Sequence, residues 1–143
     1  MEYVDSENKL VNPYIIHRTS MGCYERTLAL LLEKYAGALP MWLMPTQVSV
    51  IPVNADMNSY SAEIVKKMEA CGIRVRLDDR NETMGKRIRE AQLEKIPYML
   101  IVGAKEQEAG AVSVRNRKGE DVGVMPIDEM LAKFTLEIAT KAK

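Results

Sequence analysis

One histidine and two cysteines in 143 residues leave this chain few side chains for metal or thiol chemistry. Cys23 and Cys71 stand far apart with no C-x-x-C spacing. Neither a disulfide framework nor a cysteine zinc site is expected, and reduced thiols in a cytoplasmic setting are the default. Lys+Arg and Asp+Glu number 20 each, for a formal net charge of zero. No overall basic field points to nucleic acid, so any RNA site must be a local patch. Apolar runs such as residues 28–32 are far too short to span a bilayer, which excludes a membrane helix. The opening residues Met-Glu-Tyr-Val-Asp-Ser-Glu-Asn are polar and acidic, unlike a signal or transit peptide. What is present, 47% hydrophobic residues over this length, fits one ordinary domain with a sizeable core.

Two segments emerge along the chain. Residues 1–37 read as a hairpin end, a strand over 11–17 and a helix over 23–36. Leu28, Leu31, Leu32 and Tyr35 recur at helical spacing, and Gly37 followed by Pro40 stops the helix. This segment is too small to bury its own apolar stripe and needs a partner surface. Residues 38–143 alternate strand and helix signals, which predicts an α/β domain with a largely parallel or mixed sheet of about five strands. Strands are expected over 48–53, 73–77, 97–102, 111–116 and 121–125, the third of them central because it is continuously apolar. Helices are expected over 60–70, with Ala62, Val65, Met68 and Cys71 inward, and over 84–94, with Met84, Ile88 and Ala91 inward. A last helix starts near Pro126 and buries Ile127, Met130, Leu131, Phe134 and Ile138.

Three features carry chemistry. Gly22-Cys23-Tyr24-Glu25-Arg26 opens a helix, where backbone N–H groups and an arginine favour phosphate. Read alone, it describes a capped surface helix carrying one arginine and one glutamate. His17 alone reads as a structural or solvent-facing histidine. Arg74, Arg76, Arg80, Lys86, Arg87, Arg89 and Lys95 form one basic region, and Arg115, Arg117 and Lys118 a second. Most such runs are solvated faces. An RNA site requires the two clusters to converge at the edge of the sheet.

Together, the run from Ile16-His17-Arg18 to Glu25-Arg26, the leucine-rich helix and Pro40-Met41-Trp42-Leu43-Met44-Pro45-Thr46-Gln47-Val48 resemble the C-terminal part of threonyl-tRNA synthetases, which are class II aminoacyl-tRNA synthetases. So do Asp79-Arg80-Asn81-Glu82-Thr83-Met84-Gly85-Lys86, the stretch from Ile96 to Glu106, and Val112-Ser113-Val114-Arg115-Asn116-Arg117-Lys118-Gly119. The resemblance covers essentially the whole chain. Cys23 and Thr27 depart from it, standing where the family often has serine and phenylalanine. It implies an anticodon-binding-domain-like α/β fold over 38–143, with a mixed sheet of about five strands and helices on both faces. Residues 1–37 would be a strand–helix remnant of the catalytic domain.

The same resemblance implies residue roles. Arg26 matches the motif arginine that contacts ATP, and His17 matches one of three zinc ligands, the other two lying upstream. Asn81 would pack on an anticodon base, Glu106 would read the middle guanine and Arg115 the third-position uracil of threonine tRNA. Arg89 and Lys95 are further candidates for loop or phosphate contacts. The intact family enzyme is a homodimeric ligase using ATP, magnesium and zinc. This stretch would bind RNA as a monomer, without holding those cofactors and without catalysis. A free-standing protein-interaction module on the same fold is the alternative.

Overall fold

The computed structural model describes residues 2–19 and 22–142. The chain divides into two compact units, Met1–Leu30 and Leu31–Lys143. In the first, β1 (Tyr3–Val4) and β2 (Leu10–Val11) pair antiparallel. Asp5 Oδ1 closes their turn, accepting from the N–H groups of Glu7 at 2.8 Å and Lys9 at 2.9 Å. The strand expected over 11–17 stops at Val11. Residues 12–19 have no regular structure, and Tyr14, Ile15 and Ile16 are exposed. Pro13 has no N–H to donate, and β-branched residues form a strand only where a neighbouring strand completes the ladder.

The helix α1 (Tyr24–Tyr35) matches its expected span to within a residue at each end and buries none of its side chains among the described residues. It ends as the sequence predicts. Gly37 takes φ +77°, and its N–H returns to the Leu32 carbonyl at 3.0 Å, satisfying a carbonyl that the helix leaves unpaired.

The larger unit is built on five strands: β3 (Val48–Pro52), β4 (Val75–Leu77), β5 (Tyr98–Val102), β6 (Ala111–Asn116) and β7 (Asp121–Pro126). Their order is β4-β3-β5-β6-β7, with β3 parallel to both β4 and β5, and β6 antiparallel to β5 and to β7. The expected mixed sheet is present, and the apolar run at β5 is central. Helices α2 (Asn58–Ala70) and α5 (Ile127–Ala139) lie on one face, where Ile64, Met68, Met130 and Phe134 meet Val48, Val50, Leu100, Val102, Val112 and Val114. Helix α3 (Met84–Leu93) covers the other face through Ala91 and Ile88 against Ile51, Met99 and Ile101. A short helix, α4 (Ala104–Glu108), follows β5 and has no counterpart among the expected elements.

Two inward faces are corrected. On α2 the buried side chains are Ser61, Ile64 and Met68; Cys71 is exposed beyond the helix end. On α3 they are Arg87 and Ala91, while Met84 is exposed. Val65, Met68, Ile88 and Ala91 do pack inward as expected, and the stripes widen to include Ser61 and Arg87 because a small serine and an arginine stem also fit against a sheet.

The segment joining α1 to β3 is strapped down by side chains that donate to its backbone carbonyls. Lys95 Nζ donates to Ala36, Arg117 Nη2 to Leu39 at 2.8 Å, and Arg74 Nη2 to Trp42 and Met44 at 2.9 Å each. Buried Gln47 completes the strap, donating to the Met41 carbonyl at 3.0 Å and accepting from the Arg74 N–H at 2.8 Å.

Tyr98 stacks on Phe134 with centroids 4.6 Å apart and donates to Glu137 at 2.9 Å. Burial, with the Glu137 carboxylate beside it, pushes the phenol up to about 12. A folded-state value raised above the ordinary value of about 10 contributes stability that is present below pH ~10 and lost as pH rises through 12. Spectrophotometric titration should show a late-ionising tyrosine that disappears in Tyr98→Phe. A variant that leaves the titration curve unchanged would contradict the assignment.

Candidate nucleic-acid interface

Because β3, β4 and β5 run parallel, their carboxyl ends open on one edge of the sheet. Crevices beyond such ends are where open α/β sheets hold ligands. Three segments leave from there: the turn over 53–57, the loop over 78–83, and Gly103 leading into α4.

The loop is organised by Asp78, whose residue is only 3% exposed although it follows an edge strand. Arg80 grips its carboxylate bidentately, at 2.8 Å to Oδ1 and 2.7 Å to Oδ2, and reaches Glu90 at 2.7 Å. Beneath it, the buried Arg87 donates from Nη1 to the Asp78 carbonyl at 2.8 Å. The Arg80 guanidinium holds the Asp78 carboxyl below the usual carboxylate range, and the Arg87 charge adds to this. Thr83 then caps α3, its hydroxyl accepting from the Lys86 N–H. Asn81 is left at the exposed tip of a loop whose base is fixed by ion pairs.

Glu106 is held on the same edge. Its Oε2 accepts from the Gly103 N–H at 3.0 Å, leaving Oε1 without a partner among the described residues. A Cβ built on Gly103 would lie 2.8 Å from Glu106 Oε2 and 3.4 Å from Val53 Cγ2, so Glu106 and the 53–57 turn are close neighbours. The structure thus places Asn81 and Glu106 on the same edge of the sheet.

Arg115 sits elsewhere. It pairs in register with Met99 and therefore belongs to the face that α3 covers. It lies four residues back from the level of Gly103, roughly 13 Å along the strands. Helix α3 packs against β3 and β5 and leaves this face of β6 and β7 partly open: Ser113 and Arg115 are half-buried and Val124 is exposed. The Arg115 Nε is buried without a partner.

The two expected basic clusters do not merge. Of their ten cations, seven are committed to protein acceptors. Arg74, Lys95 and Arg117 strap the segment before β3, and Arg80 and Arg87 bind Asp78. Arg76 pairs with Glu94 at 2.8 Å, and Lys86 with Glu82 at 2.7 Å. Arg89, Arg115 and Lys118 have no side-chain partner among the described residues, and Lys118 lies at the opposite, amino-end edge beside Arg117. Lys95, at φ +60°, is bound to Ala36.

The catalytic and zinc candidates are not brought into a site. Arg26 is exposed on α1, and His17 is exposed in the irregular stretch before it. Among the described residues no three His, Cys, Asp or Glu side chains group where they could hold a metal ion. No helix among them is long and apolar enough to cross a membrane.

Relatives of known kind match this arrangement. The anticodon binding domain family matches residues 47–136, which covers all five strands of the sheet. The chain belongs to this family. A threonine–tRNA ligase of Clostridium botulinum (strain Eklund 17B / Type B) is 49% identical over 143 residues, all of this chain and 22% of that protein. One from Caldanaerobacter subterraneus is 46% identical over 142 residues, 99% of this chain and 22% of that protein. The chain therefore spans about a fifth of the length of the curated relatives it matches. The crystal structure of the RNA binding domain of threonyl-tRNA synthetase from Cryptosporidium parvum superposes with a TM-score of 0.75 at 30% identity, over 79% of this chain and 28% of that one. The mixed sheet with helices on both faces is that fold.

The 53–58 turn holds none of the expected site residues, and Arg87, counted in the first basic cluster, is buried instead of solvent-facing. The signal for the turn was present in Asn54 and Asn58, two amides just past a strand's carboxyl end. The ion pair at Asp78 gives a test. Its depressed folded-state value contributes stability that is present above the unfolded value of about 4 and lost as pH falls through the lower folded value. Asp78→Asn should cost on the order of 1–3 kcal/mol at pH 7, a deficit that narrows below pH ~4 in urea denaturation. An undiminished deficit in acid would contradict the ion-pair account.

Proposed function

We propose that this chain recognises the anticodon loop of threonine tRNA as the C-terminal part of a cytoplasmic threonine–tRNA ligase. The observation that carries this reading is Asn81 and Glu106 on one sheet edge, each held at its base with polar atoms left unpaired. An RNA loop presents unstacked bases, recognised through their edges and by stacking. The free oxygen of Glu106 accepts from the imino or amino protons of a guanine, which has both on its Watson–Crick edge. Arg115, half-buried on the partly open face of β6, would donate from its guanidinium to a uracil carbonyl. Asn81 lays a planar amide against a base. Arg89 adds an unpaired cation for the phosphate backbone, while the interaction of Lys95 with Ala36 makes it a positioning residue for the segment before β3.

Residues 1–37 are assigned in this reading to the catalytic domain, and aminoacylation itself to the intact homodimeric ligase with ATP, magnesium and zinc. There Arg26 would contact ATP and His17 would supply one zinc ligand. The chain alone binds RNA as a monomer and does not activate threonine. The match of residues 47–136 to the anticodon binding domain family favours RNA recognition over a protein-interaction module.

With a threonine-tRNA anticodon stem-loop, Glu106→Ala and Arg115→Ala should each lose on the order of 1–3 kcal/mol of discrimination against a base-substituted loop. Equal affinity of the unaltered chain for cognate and scrambled loops would refute the reading. Gly103→Ala offers a milder probe, since its φ of −119° suits any residue but the new methyl displaces the Glu106 carboxylate. That variant should fold normally, as judged by circular dichroism, and bind the loop more weakly; unchanged binding would show that the Gly103 contact does not position Glu106.

A further inference from the structure

At the amino-end edge of the sheet, opposite Asn81 and Glu106, a pocket of about 330 Å³ lies wholly within the larger unit. Its walls are apolar and flat: Leu39, Pro40 and Met41 before β3, Pro97 before β5, and the rings of Tyr35 and Tyr98. Three charged side chains also line it, Arg117, Lys118 and Glu137, and each has bonding capacity left over. Arg117 spends only Nη2, on the Leu39 carbonyl, and its remaining N–H groups have no acceptor among the described residues. Unlike the sealed Nε of Arg87 and of Arg115, they are not closed off from solvent. The Lys118 ammonium has no partner among the described residues, and Glu137 accepts from Tyr98 through Oε2 alone. Burial lowers the Arg117 pKa, so its guanidinium has given up hydration that the nearby Glu137 carboxylate only partly offsets.

We propose that this pocket binds a small aromatic carboxylate, its ring against the proline and tyrosine faces and its charge against Arg117 and Lys118. The inference is independent of the RNA reading, whose residues lie at the other edge. Charge balance selects a monoanion: two cations and one carboxylate line the pocket, which leaves one positive charge to match. A phosphate dianion would exceed that match and be opposed by Glu137. A guanidinium and an ammonium donate charge-assisted hydrogen bonds to a carboxylate, and partial desolvation of the guanidinium strengthens the attraction. The volume suits one ring on a short chain, near the lower end of the roughly 300–1,000 Å³ of ligand pockets. The pocket is also preformed, which spares the cost of ordering it on binding. Tyr98 is fixed by its stack on Phe134, and the Arg117 N–H donates to the Pro97 carbonyl at 3.0 Å. The Asn116 side chain accepts from the N–H groups of Lys118 at 2.9 Å and Glu120 at 3.0 Å, shaping the turn that carries both cations.

The test is titration of the isotopically labelled chain with phenylacetate, followed by two-dimensional amide NMR. Saturable shift changes should appear at residues 38–41, 97–98 and 116–118, with a Kd on the order of 1 mM or tighter. Neutral phenethyl alcohol and cationic phenethylamine should each bind about tenfold more weakly. Lys118→Met, at an exposed turn position, should weaken phenylacetate about fivefold. Glu137→Gln, whose amide oxygen still accepts from Tyr98, should strengthen it about twofold. Equal affinity for the three probes would show adventitious apolar binding only and overturn the proposal. So would the absence of saturable change at these residues up to about 10 mM phenylacetate. A Lys118→Met variant that binds phenylacetate as the unaltered chain does would overturn it too.

Discussion

The parallel pairing of β3 with both β4 and β5 is the constraint on which the rest depends. It sends three carboxyl ends to one edge, so that segments far apart in sequence, at 53–58, 78–83 and 103–106, emerge side by side. Antiparallel β6 and β7 then return along the sheet and extend the surface on a face that α3 only partly covers. Were β4 antiparallel to β3, the Asp78 loop would leave from the other edge, and Asn81 and Glu106 would not share a surface.

Charge is partitioned along that sheet. At the amino-end edge and at the ends of its flanking loops, Arg74, Lys95 and Arg117 are consumed by backbone carbonyls that precede β3. At the carboxyl edge, Arg80 and Arg87 are consumed by Asp78. These cations thereby work as internal fasteners, and of the ten in the two basic clusters only Arg89, Arg115 and Lys118 keep no side-chain partner among the described residues. In nucleic-acid recognition generally, phosphate contacts position and base contacts specify.

Much of the fold was legible in the sequence because its signals were local. The apolar run at 98–102, the Arg117-Lys118-Gly119 turn between β6 and β7, and Gly37 after a leucine-rich helix each act within a few residues. The failures were tertiary. Residues 12–17 carry β-branched side chains but have no neighbouring strand, so they stay irregular. Arg87 read as one more surface cation, whereas it is buried under a loop whose ion pair no periodicity announces. The candidate residues Asn81, Glu106 and Arg115 were singled out by resemblance, since spacing alone does not distinguish them from other polar positions. What the sequence could not convey was which basic residues were already taken.

Proposed RNA binding at the carboxyl-end edge of the parallel strands and the adjoining open face of β6 is tested most directly by two-dimensional amide NMR of the isotopically labelled chain, titrated with the threonine-tRNA anticodon stem-loop. Shift changes should concentrate in residues 53–58, 79–83, 103–106 and 113–115. Changes concentrated instead at the opposite edge, in residues 38–41, 97–98 and 116–118, would contradict it.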